Sequence, residues 1–129
     1  MLVADASVIA PAIADGGTDG DVCRAAIRGR ILVAPDLLRV EVLSVIRRHA
    51  TSGALTKRQA DSAIEDLVSL PITVYPTAPL LRRCWALRGN VTAYDACYVA
   101  LAEALGVTLL TSDARLANAP GTSCQFMVV

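Results

Sequence analysis

The 129-residue chain carries 12 basic and 12 acidic side chains, so its formal charge is zero, and 54% of it is hydrophobic with only 4% aromatic. This length suits a single domain over residues 1–129 with one sizeable core, and the charge balance excludes a strongly basic RNA-binding domain while leaving room for a local basic face. Asp5 and Glu103 interrupt the most apolar runs and no basic n-region opens the chain, so the expectation is a soluble, cytoplasmic protein without a membrane span.

The first residues, Met1 to Ala4, form a short apolar strand that ends at Asp5. Asp5-Ala-Ser-Val-Ile-Ala then turns into a helix. Asp5 is placed either to cap that helix or to meet a ligand at the carboxyl end of the strand, with Ser7 near enough to help in either role. Asp15 to Gly20 is a polar, glycine-rich stretch without a phosphate-cradling glycine pattern, and it reads as a mobile connection. A helix over Val22 to Arg28, ended by Gly29, and a strand at Ile31 to Ala34 follow.

Pro35-Asp36 opens a third helix, with Asp36 as its expected N-cap. Leu37, Leu38, Val42, Val45 and Ile46 make its apolar stripe at helical spacing. Glu41 lies on that same stripe. An unpaired buried carboxylate costs several kcal/mol, so Glu41 requires a cation, a partner or a water-filled cleft. Thr56-x-x-Gln59 is a capping box for a helix over Lys57 to Leu70, whose inner face is Ala60, Ala63, Ile64 and Leu67. Its acids Asp61, Glu65 and Asp66 fall mostly off that face and read as solvated.

Ile72 to Tyr75 is a third strand, and Pro79 starts a helix over Leu80 to Arg88. Thr92 caps the next helix, Ala93 to Leu105, which Gly106 ends; Val107 to Leu110 is a core strand. Asp95 therefore sits in the first turn of the helix and Asp113 just past the strand, where open α/β sheets place ligands. A short helix and an edge strand within Ser123 to Val129 close the chain. Alternating strands and helices predict an α/β fold with a mostly parallel sheet covered on both faces.

Asp5, Glu41, Asp95 and Asp113 can all converge on one edge of such a sheet. Two carboxylates about 4 Å apart repel by roughly 4 kcal/mol at an effective dielectric of about 20, so a converging set raises its own pKa values or recruits a cation. All-oxygen donors select a hard ion, magnesium or manganese, suited to phosphodiester hydrolysis. Cys23, Cys84, Cys97 and Cys124 form no C-x-x-C pair and stand with a single His49, which argues against zinc and leaves disulfide pairing open.

Asp5-Ala-Ser-Val, Pro-Asp-Leu-Leu-Arg-Val-Glu41, Thr-Ala-Tyr-Asp95-Ala-Cys-Tyr-Val-Ala-Leu-Ala and Leu-Leu-Thr-Ser-Asp113-Ala-Arg-Leu occur in that order. As an ordered set they resemble the PIN-domain family, and more narrowly its VapC ribonuclease toxins of type II toxin–antitoxin systems. The resemblance implies a three-layer α/β/α sandwich and a magnesium-dependent endoribonuclease acting on RNA. It also implies a homodimer and a cognate VapB-like antitoxin. Asp5, Glu41, Asp95 and Asp113 become the catalytic metal ligands, supported by Ser7 and Thr111. Arg47, Arg48, Arg82, Arg83, Arg88 and Arg115 are candidate RNA contacts, although surface charge is the more usual explanation for any one of them. The competing readings are a metal-dependent phosphatase of small substrates, which the absence of Asp-x-Asp-x-Thr at Asp5 disfavours, and a non-catalytic interaction module.

Overall fold

The computed structural model describes residues 1–129. Five parallel strands form its sheet in the order β3-β2-β1-β4-β5. They are β1 (Leu2–Ala4), β2 (Leu32–Pro35), β3 (Ile72–Tyr75), β4 (Thr108–Thr111) and β5 (Phe126–Val128). The short central strands are apolar on both faces: Leu2, Val3, Ala4, Leu32, Val33, Ala34, Leu109 and Leu110 are all buried. Such continuous apolar runs are what a sheet covered on both sides requires.

One covering layer contains α1 (Ala6–Ala14), α2 (Thr18–Ile27), α3 (Leu38–Ser52) and α4 (Lys57–Ser69), with α1 packed against the other three. The other contains α5 (Leu81–Ala86), preceded by a 3-10 turn at Ala78–Leu80, and α6 (Ala93–Leu105), which lies on β1, β2 and β4. A single turn, α7 (Ala114–Ala117), joins β4 to β5. The structure is therefore the three-layer α/β/α arrangement, and its sheet is wholly parallel. No helix is long and apolar enough to cross a membrane.

Capping chemistry explains most boundaries. Thr56 and Gln59 form the reciprocal capping box of α4, and Thr92 Oγ1 accepts the Asp95 N–H of α6 at 3.2 Å. Gly106 ends α6 in the left-handed region at φ +66°, a conformation that a β-carbon penalises.

Three boundaries differ from the sequence expectation. Asp36 does not cap α3: the helix begins at Leu38 after Leu37, without a side-chain cap, and the Asp36 N–H instead extends the sheet by donating to Tyr75 O at 2.9 Å. The expected helix over Leu80 to Arg88 divides into the 3-10 turn and the shorter α5.

The third difference concerns the glycine-rich stretch, where α2 starts at Thr18 rather than Val22. Asp19 and Asp21 in its first turn complement the helix dipole. Arg24 Nη1 reaches back to the carbonyls of Ala12 (3.1 Å) and Asp15 (2.7 Å), so this connection is tied down. Gly20 permits the approach, because a β-carbon there would lie 1.8 Å from the Asp15 carbonyl oxygen. Gly20→Ala therefore lowers stability by roughly 1–3 kcal/mol in denaturant titration. Gly16→Ala, where a β-carbon meets nothing within 4 Å, serves as the near-neutral control.

Candidate active-site cleft

Strand order reverses between β1 and β4: successive connections run outward from β1 through β2 to β3 on one side and from β4 to β5 on the other. Ligands in doubly wound sheets bind outside the carboxyl ends of the strands at such a reversal. Asp5 is the first residue after β1, and Asp113 the second after β4. The N-terminal turn of α6 contributes Asp95, and the first turn of α3 contributes Glu41. All four carboxylates line one cleft of about 430 Å³, together with Ser7, Arg48, His49 and Tyr98.

Asp5 is 5% exposed and is the N-cap of α1, so its capping and cleft positions coincide. Its Oδ1 accepts the Ser7 N–H at 3.0 Å and the Ser7 hydroxyl. Having given its proton to Asp5, Ser7 Oγ accepts from the Ser112 N–H at 2.9 Å and stands 3.3 Å from Thr111 Oγ1. Thr111 is fully buried, and its Oγ1 accepts the Asp113 N–H at 3.0 Å. This chain of bonds connects the Asp5 carboxylate to the backbone that carries Asp113.

Glu41 is oriented from the opposite layer. Tyr98, 1% exposed, donates its hydroxyl proton to Glu41 Oε1 at 2.6 Å. Tyr98 follows Asp95 by three residues and so shares its face of α6. Its place in the site can be read from that spacing only once Glu41 is known to lie opposite. Asp113 Oδ1 caps α7 through the N–H groups of Arg115 (2.9 Å) and Leu116 (3.4 Å), leaving Oδ2 outside those bonds.

The cleft is short of positive charge. Burial pushes the Asp5, Glu41 and Asp95 carboxyls above their usual range. Asp95 adds repulsion at Asp5 and at Glu41, and Asp113 adds it at Asp95. Hydrogen bonds from Ser7, Tyr98 and Thr92 oppose the shifts. Only Asp113 has a basic partner, Arg115 Nε at 3.7 Å, and that arginine side chain is 96% exposed, where such pairs contribute little. No three carboxyl groups are gathered closely enough to ligate one ion directly. Their free oxygens suit a hard cation that keeps much of its water shell.

Of the six arginines weighed as RNA contacts, Arg48 alone lines the cleft. Arg83 is engaged elsewhere. Its Nε and Nη2 bond Glu103 at 2.7 and 3.1 Å, and Nη2 also bonds the Gly121 carbonyl at 2.8 Å. It fastens α5 to α6 and to the loop before β5. Arg88 lies 4.5 Å from the centre of the exposed Trp85 ring, while Arg47 and Arg82 are exposed and form no ion pair. The four cysteines are free thiols, with Cys84 and Cys97 in buried contact at 3.7 Å.

A PIN domain family model matches residues 2–121. The chain belongs to the PIN domain family. It is 44% identical over 128 residues to Ribonuclease VapC1 of Mycobacterium tuberculosis, covering 98% of this chain and 96% of that one. It is 37% identical over 129 residues to Ribonuclease VapC9 of the same species, covering 100% and 98%. The crystal structure of M. tuberculosis VapC20, described as a sarcin–ricin loop cleaving toxin, superposes with a TM-score of 0.73. That match has 15% identity and covers 95% of this chain and 97% of the other. VapBC2 from Rickettsia felis, bound to a DNA fragment from its promoter, superposes with a TM-score of 0.65 at 13% identity, covering 98% of each chain. At these identities the two structures bear on the fold alone.

The raised carboxyl pKa values give this PIN domain a pH signature. A carboxyl whose folded pKa exceeds its unfolded one binds its proton more tightly in the native state, so its contribution to stability falls as pH rises from the unfolded toward the folded value. In chelator-treated protein, Asp95→Asn therefore gains stability relative to wild type as pH is raised from about 4 toward neutrality. Thermal unfolding of both proteins across that range measures the difference.

Proposed function

We propose that the chain is a magnesium-dependent endoribonuclease toxin, with manganese as an alternative ion, that cleaves RNA phosphodiester bonds and is neutralised by a cognate VapB-like antitoxin. The observation that carries this reading is the meeting of Asp5, Glu41, Asp95 and Asp113 in one cleft in which only Asp113 has a basic partner. The ribonuclease names of the similar VapC proteins, 44% and 37% identical over nearly the whole chain, support the reaction, and the antitoxin is proposed from the same likeness to VapC proteins. A homodimer and a cytoplasmic location belong to the same proposal.

Asp5, Glu41, Asp95 and Asp113 would hold the ion, one or two carboxylates directly and the others through its water. Bound there, magnesium supplies a Lewis acid for the phosphate and a water of lowered pKa. The chain's own contribution is to fix the donors. The Ser7–Thr111 hydroxyl pair orients Asp5, Tyr98 orients Glu41, and the Thr92 cap sets the turn that carries Asp95. Arg48 stands in the cleft as a cation for the RNA phosphate.

Asp5→Asn and Asp95→Asn each retain a side-chain oxygen for local hydrogen bonds but lose the negative charge. Loss of an outer partner of a metal ligand costs about 10–100-fold, so loss of ligand charge lowers RNA cleavage by roughly 100-fold or more. Cooperative unfolding is retained. Cleavage of a mixed RNA substrate with magnesium and with chelator is the assay; full activity in either variant contradicts the assigned role.

A further inference from the structure

A second depression, of about 470 Å³, shares Ala6, Glu41, Val45 and Arg48 with the acidic cleft. The two are lobes of one surface, with Arg48 and Glu41 at the divide. The second lobe differs in chemistry: Leu37, Val40 and Tyr94 line it, and Glu41 is its only acid. Tyr94 is 65% exposed and Val40 67%. Tyr94 immediately precedes Asp95 in the first turn of α6, so the backbone that positions a proposed metal ligand also positions this ring. The chain has only one Trp, three Tyr and one Phe. Of these, Tyr98 and Tyr94 line the two lobes, and Tyr98 is buried and bonded to Glu41, which leaves Tyr94 as the open ring beside the cleft.

We propose that this lobe is a nucleobase subsite, in which an unpaired base next to the scissile phosphodiester stacks on the Tyr94 ring while its phosphate meets the Arg48 guanidinium. The inference rests on the RNA-cleaving reading and deepens it. A chain of zero formal charge cannot hold a polyanion by its overall field, and the cleft itself is acidic. Affinity must therefore come from local contacts. Aromatic stacking supplies it for single-stranded nucleic acid because every base presents a π-face. The arginine at the divide is placed to neutralise the phosphate that follows such a base toward the carboxylates.

The test uses full-length protein and a single-stranded oligoribonucleotide whose cleavage position is first mapped with magnesium. Single 2-aminopurine substitutions then step through the flanking positions, and binding is read in chelator without turnover. Wild type quenches the probe at one position beside the cleavage point. Tyr94→Ala loses that quench, whereas Tyr94→Phe and Tyr94→Trp keep it. In steady-state cleavage Tyr94→Ala raises KM about fivefold or more with kcat retained. An abasic residue at the mapped position costs wild type a similar factor and costs Tyr94→Ala nothing further. Arg48→Gln weakens binding at every position and flattens its salt dependence.

Unchanged quench and KM in Tyr94→Ala, with wild-type cleavage intact, overturn the subsite alone. A change in the association state of Tyr94→Ala overturns it in favour of a contact between subunits. A wild-type protein that neither binds nor cleaves the oligonucleotide overturns the ribonuclease reading and the subsite with it.

Discussion

Burial of negative charge without a matching cation is the constraint around which this protein is built. Asp5 is buried, Glu41 and Asp95 are half-buried, all three lie within reach of one another's fields, and no lysine or arginine forms an ion pair with any of them. Such a cluster opposes folding, so the surrounding structure must over-determine it. The core supplies that surplus through the fully buried aliphatic side chains of β1, β2 and β4 and the helices on both faces. The strain is local, and it lies at the sheet edge where the strand order reverses.

The hydrogen-bond network determines what the cluster can do. Ser7, Thr111 and Ser112 link the ends of β1 and β4 across the reversal, so Asp5 and Asp113 are held by one set of bonds. Tyr98 ties α6 to α3 through Glu41, joining the two helical layers beside the acids. Every buried side-chain nitrogen and oxygen has a partner. The polar groups are thus satisfied while the carboxylates lack counter-charges, and it is this imbalance on which the proposed cation site rests.

Much of this is legible in the sequence because its local signals agree. The Thr56–Gln59 box, the Thr92 cap and Gly106 set helix ends to within a residue, and the apolar strands point to a parallel sheet. Glu41 stands out because it interrupts an apolar stripe. Several of the misreadings depend on tertiary contact. Asp36 looks like a cap but is drawn into the β3 edge, and Thr18–Gly20 looks like loop until Arg24 and the Asp15 carbonyl are brought together. Arg83 looks like one more surface cation until Glu103, 20 positions later, is folded against it. Tyr98 requires knowledge of which helix faces which. Pairings of this kind have no signature in spacing along one element.

Everything turns on the four carboxylates, and the proposal that a hard ion occupies them can be tested directly. Crystals of the protein soaked in manganese and measured at the manganese absorption edge are expected to show an anomalous peak between Asp5, Glu41, Asp95 and Asp113, lost in crystals of Asp95→Asn. An ion found only elsewhere on the surface, or an empty cleft at saturating manganese, contradicts the assignment.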